Sequence, residues 1–131
     1  MGKVIIKTKQ IVVPIYEAYV TFIYSNSYDA IVKYATIDGL NHLDIAYLKN
    51  KDYEGYHLPL IDKDNVKEYY LIVKKNGDKY QEVDTIAHEI SHLVVEILHD
   101  AGVKFSIRND EPYAYLTGYL TKEFFKFKDS K

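Results

Sequence analysis

His88-Glu89-Ile90-Ser91-His92 sets two imidazoles four positions apart, with a carboxylate directly after the first. On an α-helix four positions make slightly more than one turn, so both imidazoles leave the same face and can converge on one ion. Glu89 lies about 100 degrees around the helix from His88, too far to share that ion but near enough to touch a water bound to it. Neutral imidazoles completed by a carboxylate are borderline donors that suit a single zinc ion. The chain has no cysteine, which excludes disulfides and thiolate sites and leaves His, Asp and Glu as the available ligands.

A catalytic zinc site needs a third protein ligand and one open position. Glu96 and His99 share the face of the motif, but they stand one and two turns beyond His92 on the same rigid helix. At 1.5 Å per residue His99 is about 10 Å from His92 along the axis, beyond the reach of a common ion. A straight helix also cannot wrap three consecutive turns around a tetrahedral centre, which leaves Glu96 a hydrogen bond to a ligating histidine. The third ligand is therefore expected from another element after a chain reversal. Gly102 permits that reversal, and Glu111 and Asp110 are the carboxylates beyond it, Asp110 standing where a helix N-cap is expected.

The element carrying the motif is expected to be a helix capped by Asp84 or Thr85, running to Ala101 and stopped by Gly102. Ile86, Ile90, Leu93, Val94, Ile97 and Leu98 recur at helical spacing and form its buried stripe. A last helix is expected from Glu111 to Phe127, with Pro112 in its first turn. Upstream, the Val-, Ile-, Tyr- and Thr-rich segments 4–13 and 17–24 read as two strands broken at Pro14. Ser25, Asn26 and Ser27 offer N-caps for a helix through DAIVKYATI, ended by Gly39. Leu43–Leu48 reads as a short strand, 49–59 as a loop, and KEYYLIVKK (67–75) as a strand closed by the turn Asn76-Gly77-Asp78. Val103–Arg108 carries strand-like residues. Strands first and helices last predict an α+β domain, a mixed or antiparallel sheet covered mainly on one face by the motif helix and the C-terminal helix. The expected organisation is one domain over 1–131, with a sheet-rich part with one helix (1–80) and a helical metal-binding part (81–131).

HEISH followed after eighteen residues by Glu111 resembles the gluzincin pattern, in which a Glu on the next helix completes a two-His, one-Glu site. The run from IAHEISHLVVEILHDAGV to NDEPYAYLTGYL also resembles small phage-encoded proteins of metallopeptidase type; it covers about a third of the chain. The resemblance implies a small zincin-like domain with His88, His92 and Glu111 as zinc ligands and Glu89 as general base. It further implies a peptide or protein substrate, with 67–75 as the strand along which substrate would be held, since the zincin edge strand also precedes the motif helix. The large gluzincins carry further domains and substrate-anchoring motifs that are not found in this chain, so their substrate preferences do not transfer.

On this reading zinc lowers the pKa of its bound water, and Glu89 takes a proton from that water and returns it to the leaving amine. Tyr115 and Tyr119 follow Glu111 by one and two turns; either could donate to the oxyanion or hydrogen-bond a zinc ligand, Tyr115 is the catalytic candidate, and core packing is the competing role for both. Gly118 is expected to let the last helix approach the motif helix. His42 and His57 have no partner pattern and read as surface or loop residues, and His99 as a helix C-terminal residue. A second reading keeps the metal site as the structural or vestigial core of a binding module, such as a phage protein acting on a host factor.

Composition sets the outer bounds. The chain has 131 residues, enough for one core without staples, and its net charge of −2 gives no argument for nucleic acid or an anionic membrane. No apolar run approaches the roughly 20 residues that span a bilayer, and the N-terminal stretch mixes lysines into its apolar residues, so the expected location is cytoplasmic, in the host if the chain is phage-encoded.

Overall fold

The computed structural model describes residues 2–61 and 66–131. The elements run β1 (Ile6–Val13), β2 (Ala18–Ser25), α1 (Tyr28–Ile37), α2 (His42–Lys49), β3 (Gly55–Ile61), β4 (Lys67–Lys74), α3 (Lys79–Asp100) and α4 (Glu111–Asp129). The strands form one mixed sheet in the order β1-β2-β4-β3. β1 pairs antiparallel with β2, β2 parallel with β4, and β3 antiparallel with β4. The class is α+β.

The expected β1–β2 pair is a hairpin whose turn holds Ile15 and Glu17 at φ 75° and 51°, left-handed values that cost an L-residue about 1–2 kcal/mol each. The expected first helix is α1, with Ser27 Oγ accepting from Ala30 N as its N-cap. Leu43–Leu48, expected as a strand, lies within α2. Asn41 caps it by accepting from Asp44 N, and Leu48 is buried against the α1 side. The expected loop 49–59 becomes strand from Gly55 onward, and Val103–Arg108 forms no strand.

Helices cover both faces of the sheet, a correction to the expected single layer. β2 and β4 are buried at residues of both parities, the pattern of strands covered on two sides. Val20, Phe22, Tyr24, Tyr69, Leu71 and Val73 join α3 and α4, while Ile23, Tyr70, Ile72 and Leu58 join α1 and α2. β4 is thus an inner strand, and the edge on its side is β3.

α3 is capped by Asp78, six residues before Asp84 and seven before Thr85, because Asp78 accepts from Tyr80 N and Gln81 N. All six residues of the expected stripe are buried. Sheet tyrosines pin both ends of this helix: Tyr24 Oη donates to Glu82 Oε1 (2.8 Å) and Tyr69 Oη to Asp100 Oδ2 (2.5 Å). Lys128 of α4 pairs with Glu82 (3.1 Å), so α3 and α4 run antiparallel.

Candidate functional site

β3 alternates strictly. Tyr56, Leu58 and Leu60 pack with the α1–α2 face, so Gly55, His57 and Pro59 turn toward α3. A Cβ on Gly55 would stand 2.6 Å from Glu89 Cγ and 2.8 Å from Thr85 Cγ2, so only glycine permits this approach of strand to helix. Proline at 59 suits an edge strand, where its missing N–H leaves no ladder bond unmade.

That approach builds a cluster of five side chains. His57 Nδ1 lies 2.7 Å from Glu89 Oε1, and His57 Nε2 lies 3.6 Å from Glu96 Oε1. The His57 ring stacks on that of His92 at 4.9 Å, and His88 meets His92 edge-on at 4.8 Å. His88 Nε2 is 3.9 Å from Glu89 Oε2. Exposure grades across the cluster: the Glu89 side chain is 12% exposed, His57 22% and His88 64%. The hydrogen bond to Glu89 raises the His57 pKa above the ordinary histidine value, outweighing the lowering by burial, and Glu96 adds to the rise.

His88, Glu89 and His92 therefore stand together as their spacing requires, joined by His57 and Glu96. His57, expected as a surface or loop residue, is the exception. The alternation of GYHLPLI, with apolar residues at 56, 58 and 60, is the signal that could have placed it on a strand. Glu96 meets His57 across the strand–helix gap, where a hydrogen bond to a histidine of its own helix was expected.

Glu111 stands elsewhere. It is exposed at the first position of α4, with no hydrogen bond or ion pair to His88 or His92 among the described residues. Counting 1.5 Å per residue from the Glu82–Lys128 pair, His92 lies about 15 Å along α3 and Glu111 about 25 Å along α4. α4 also borders the Val83–Ile86 flank of α3 through Phe125, whereas Glu89 and Glu96 face β3. Asp110 holds the N-cap position without a side-chain cap bond. Tyr115 is 48% exposed and stacks on Tyr119, and among the described residues neither ring stacks on a histidine of the cluster. Gly118 does not serve a close helix approach, since a Cβ there would meet nothing within 4 Å.

Among the described residues no group of three or more His, Asp or Glu side chains is arranged to hold a metal ion. The donor chemistry nevertheless fits a borderline divalent ion. Two imidazoles share one helix face, and one turn further, among the described residues, Glu96 Oε2 is buried without a hydrogen-bond partner. A depression of about 350 Å³, bordered by Pro59, Val95, Glu96, His99 and Asp100, continues from the cluster along α3. Larger depressions at the β1–β2 turn and beside the C-terminus gather no such side chains.

No family profile, curated protein or solved structure matches this chain. Among the described residues no helix is long and apolar enough to cross a membrane.

Proposed function

We propose that the chain is a zincin-like, metal-dependent hydrolase that cleaves a peptide or amide bond, with Glu89 as general base. The observation that carries this reading is Glu89 itself. A carboxylate on a long amphipathic helix is buried between the imidazoles of His57 and His88, where packing alone would favour an apolar residue.

His88 and His92 would hold one zinc ion. Glu111 is the third ligand implied by its interval from the motif, because Glu96, on the third consecutive turn of the straight helix α3, cannot share one ion with His88 and His92. When bound, the ion would supply an acidified water and polarise the scissile carbonyl. The chain's own part is to take up a proton at Glu89 Oε2, the oxygen turned toward His88, and to release it to the leaving amine. The depression beside Glu96 would seat a substrate residue next to the reacting bond. Tyr115 keeps its candidacy as oxyanion donor only through its one-turn spacing from Glu111, since its ring stacks on Tyr119.

Metal analysis of the purified, zinc-reconstituted chain comes first, and binding near one equivalent is expected. A value below about half an equivalent would sink the proposal. A peptide-library assay then compares the wild type with Glu89→Gln, and abolished cleavage in the variant is expected. Equal cleavage by both, or none by either, would refute hydrolysis. Glu111→Gln is expected to weaken zinc binding tenfold or more, and an unchanged affinity would remove Glu111 as the third ligand.

A further inference from the structure

Glu89 has two oxygens in unlike surroundings. Oε1 lies at hydrogen-bond distance from His57 Nδ1, while Oε2 lies 3.9 Å from His88 Nε2, too far for a hydrogen bond. One oxygen is tethered, and among the described residues the other, on the side of the motif histidines, accepts no hydrogen bond. The tether comes from the edge strand, whose inward residues beside Glu89 are glycine and histidine in place of apolar side chains. Gly55 removes the atom that would push Glu89 aside, and the stacked ring of His92 fixes the plane of the His57 ring.

We propose that His57 is a positioning residue for Glu89. Its Nδ1–H anchors Oε1, so that the carboxylate meets the reacting water through Oε2 alone and in one orientation. This rests on the hydrolase reading above. A base held at one oxygen has a fixed proton-accepting atom, and misplacing a reacting group by about 1 Å costs on the order of a hundredfold in rate. Asparagine can offer an N–H close to the place of Nδ1, so it serves as the conservative replacement.

The experiment has one arm that needs no activity. In the metal-free chain, ¹⁵N NMR of the histidine side chains is expected to show His57 protonated at Nδ1, with that resonance displaced in Glu89→Gln. A His57 proton on Nε2 alone, or a resonance indifferent to Glu89→Gln, overturns the proposal whatever activity is found. In the kinetic arm, His57→Ala is expected to lower kcat about 10- to 100-fold with KM and zinc affinity each within about threefold of wild type. His57→Asn is expected to recover most of the loss. An unchanged kcat in folded His57→Ala, or a loss of zinc affinity equal to the loss of kcat, overturns the positioning role. Wild type that cleaves nothing overturns the hydrolase reading and the kinetic role with it, a failure distinct from a misplaced proton in the NMR arm.

Discussion

Gly55→Ala tests the contact on which the site is built. The added methyl would stand 2.6 Å from Glu89 Cγ, 2.8 Å from Thr85 Cγ2 and 3.3 Å from Glu89 Cδ. Relaxed carbon–carbon contacts begin at about 3.5 Å, so the two Cγ atoms must withdraw by roughly 0.7–0.9 Å. Both sit one bond from a Cβ fixed on α3, so neither can swing away as a flexible chain end would. Either Glu89 changes rotamer and leaves His57, or β3 lifts from α3. The first route costs about 1.5–3 kcal/mol for a hydrogen bond to a charged group, the second about 1–3 kcal/mol for overpacking. These are alternatives and not a sum, so the expected destabilisation is about 2 kcal/mol. At about 2.1 cal/mol/K per residue of unfolding entropy, that lowers Tm by roughly 7 °C. Urea unfolding followed by circular dichroism measures the loss, with Gly118→Ala as control. Gly118 is helical with open space around it, and there the same substitution should stabilise by about 0.5–1 kcal/mol. A Gly55→Ala chain within about 0.5 kcal/mol of wild type would refute the strand–helix approach as the constraint on Glu89.

Three further outcomes are expected. Ile15, exposed at φ 75°, should gain about 0.5–1 kcal/mol in urea stability when replaced by glycine, the relief of a left-handed β-branched residue exceeding the entropy that glycine adds to the unfolded chain; a loss would contradict the strained turn. Glu82→Ala should cost about 3 kcal/mol by the same measurement, because it leaves Lys128, the Tyr24 hydroxyl and the Asn76 N–H without their common acceptor, and a cost below about 1 kcal/mol would refute that pin. Alkaline stability should fall steeply above pH 10. Burial, aided by the hydrogen bond to Asp44, pushes Tyr56 up to about 12, and Tyr24, Tyr53, Tyr69 and Tyr70 are raised as well, chiefly by burial. The folded chain keeps these protons where the unfolded chain loses them, so their stability is intact below the ordinary value of 10.0 and is lost as pH climbs toward the folded values. Ionisation of all 14 tyrosines, these five included, before any loss of circular dichroism would contradict this.

Local patterns were legible in the sequence and long-range placement was not. The stripe from Ile86 to Leu98 specified α3, and the four-residue interval specified that His88 and His92 share a face. Over Leu43–Leu48 the same periodicity is ambiguous, because six apolar-rich residues suit either period and the Asn41 cap decides for helix. The apolar residues at both parities of β2 and β4 already required cover on two faces, a signal the strands-first, helices-last order obscured. The meeting of His57 with Glu89 spans 32 positions and depends on β3 lying outside β4, a topology that no local periodicity encodes. Glu111 illustrates the reverse: a familiar interval carries no information about which flank of α3 the returning helix takes.

The position of β3 has a consequence for motion. This strand precedes β4 in the chain but lies outside it, bonded to one neighbour and resting its inward residues on α3. Peeling it away breaks a single ladder and leaves β1-β2-β4 and the core under α3 intact. Such a unit opens at a lower free energy than global unfolding, and its amides exchange with solvent sooner than those of β2 and β4. Four of the five cluster side chains are therefore built on a permanent scaffold and His57 alone on a strand that can detach: each local opening withdraws His57 and releases Glu89, and each closing reassembles them.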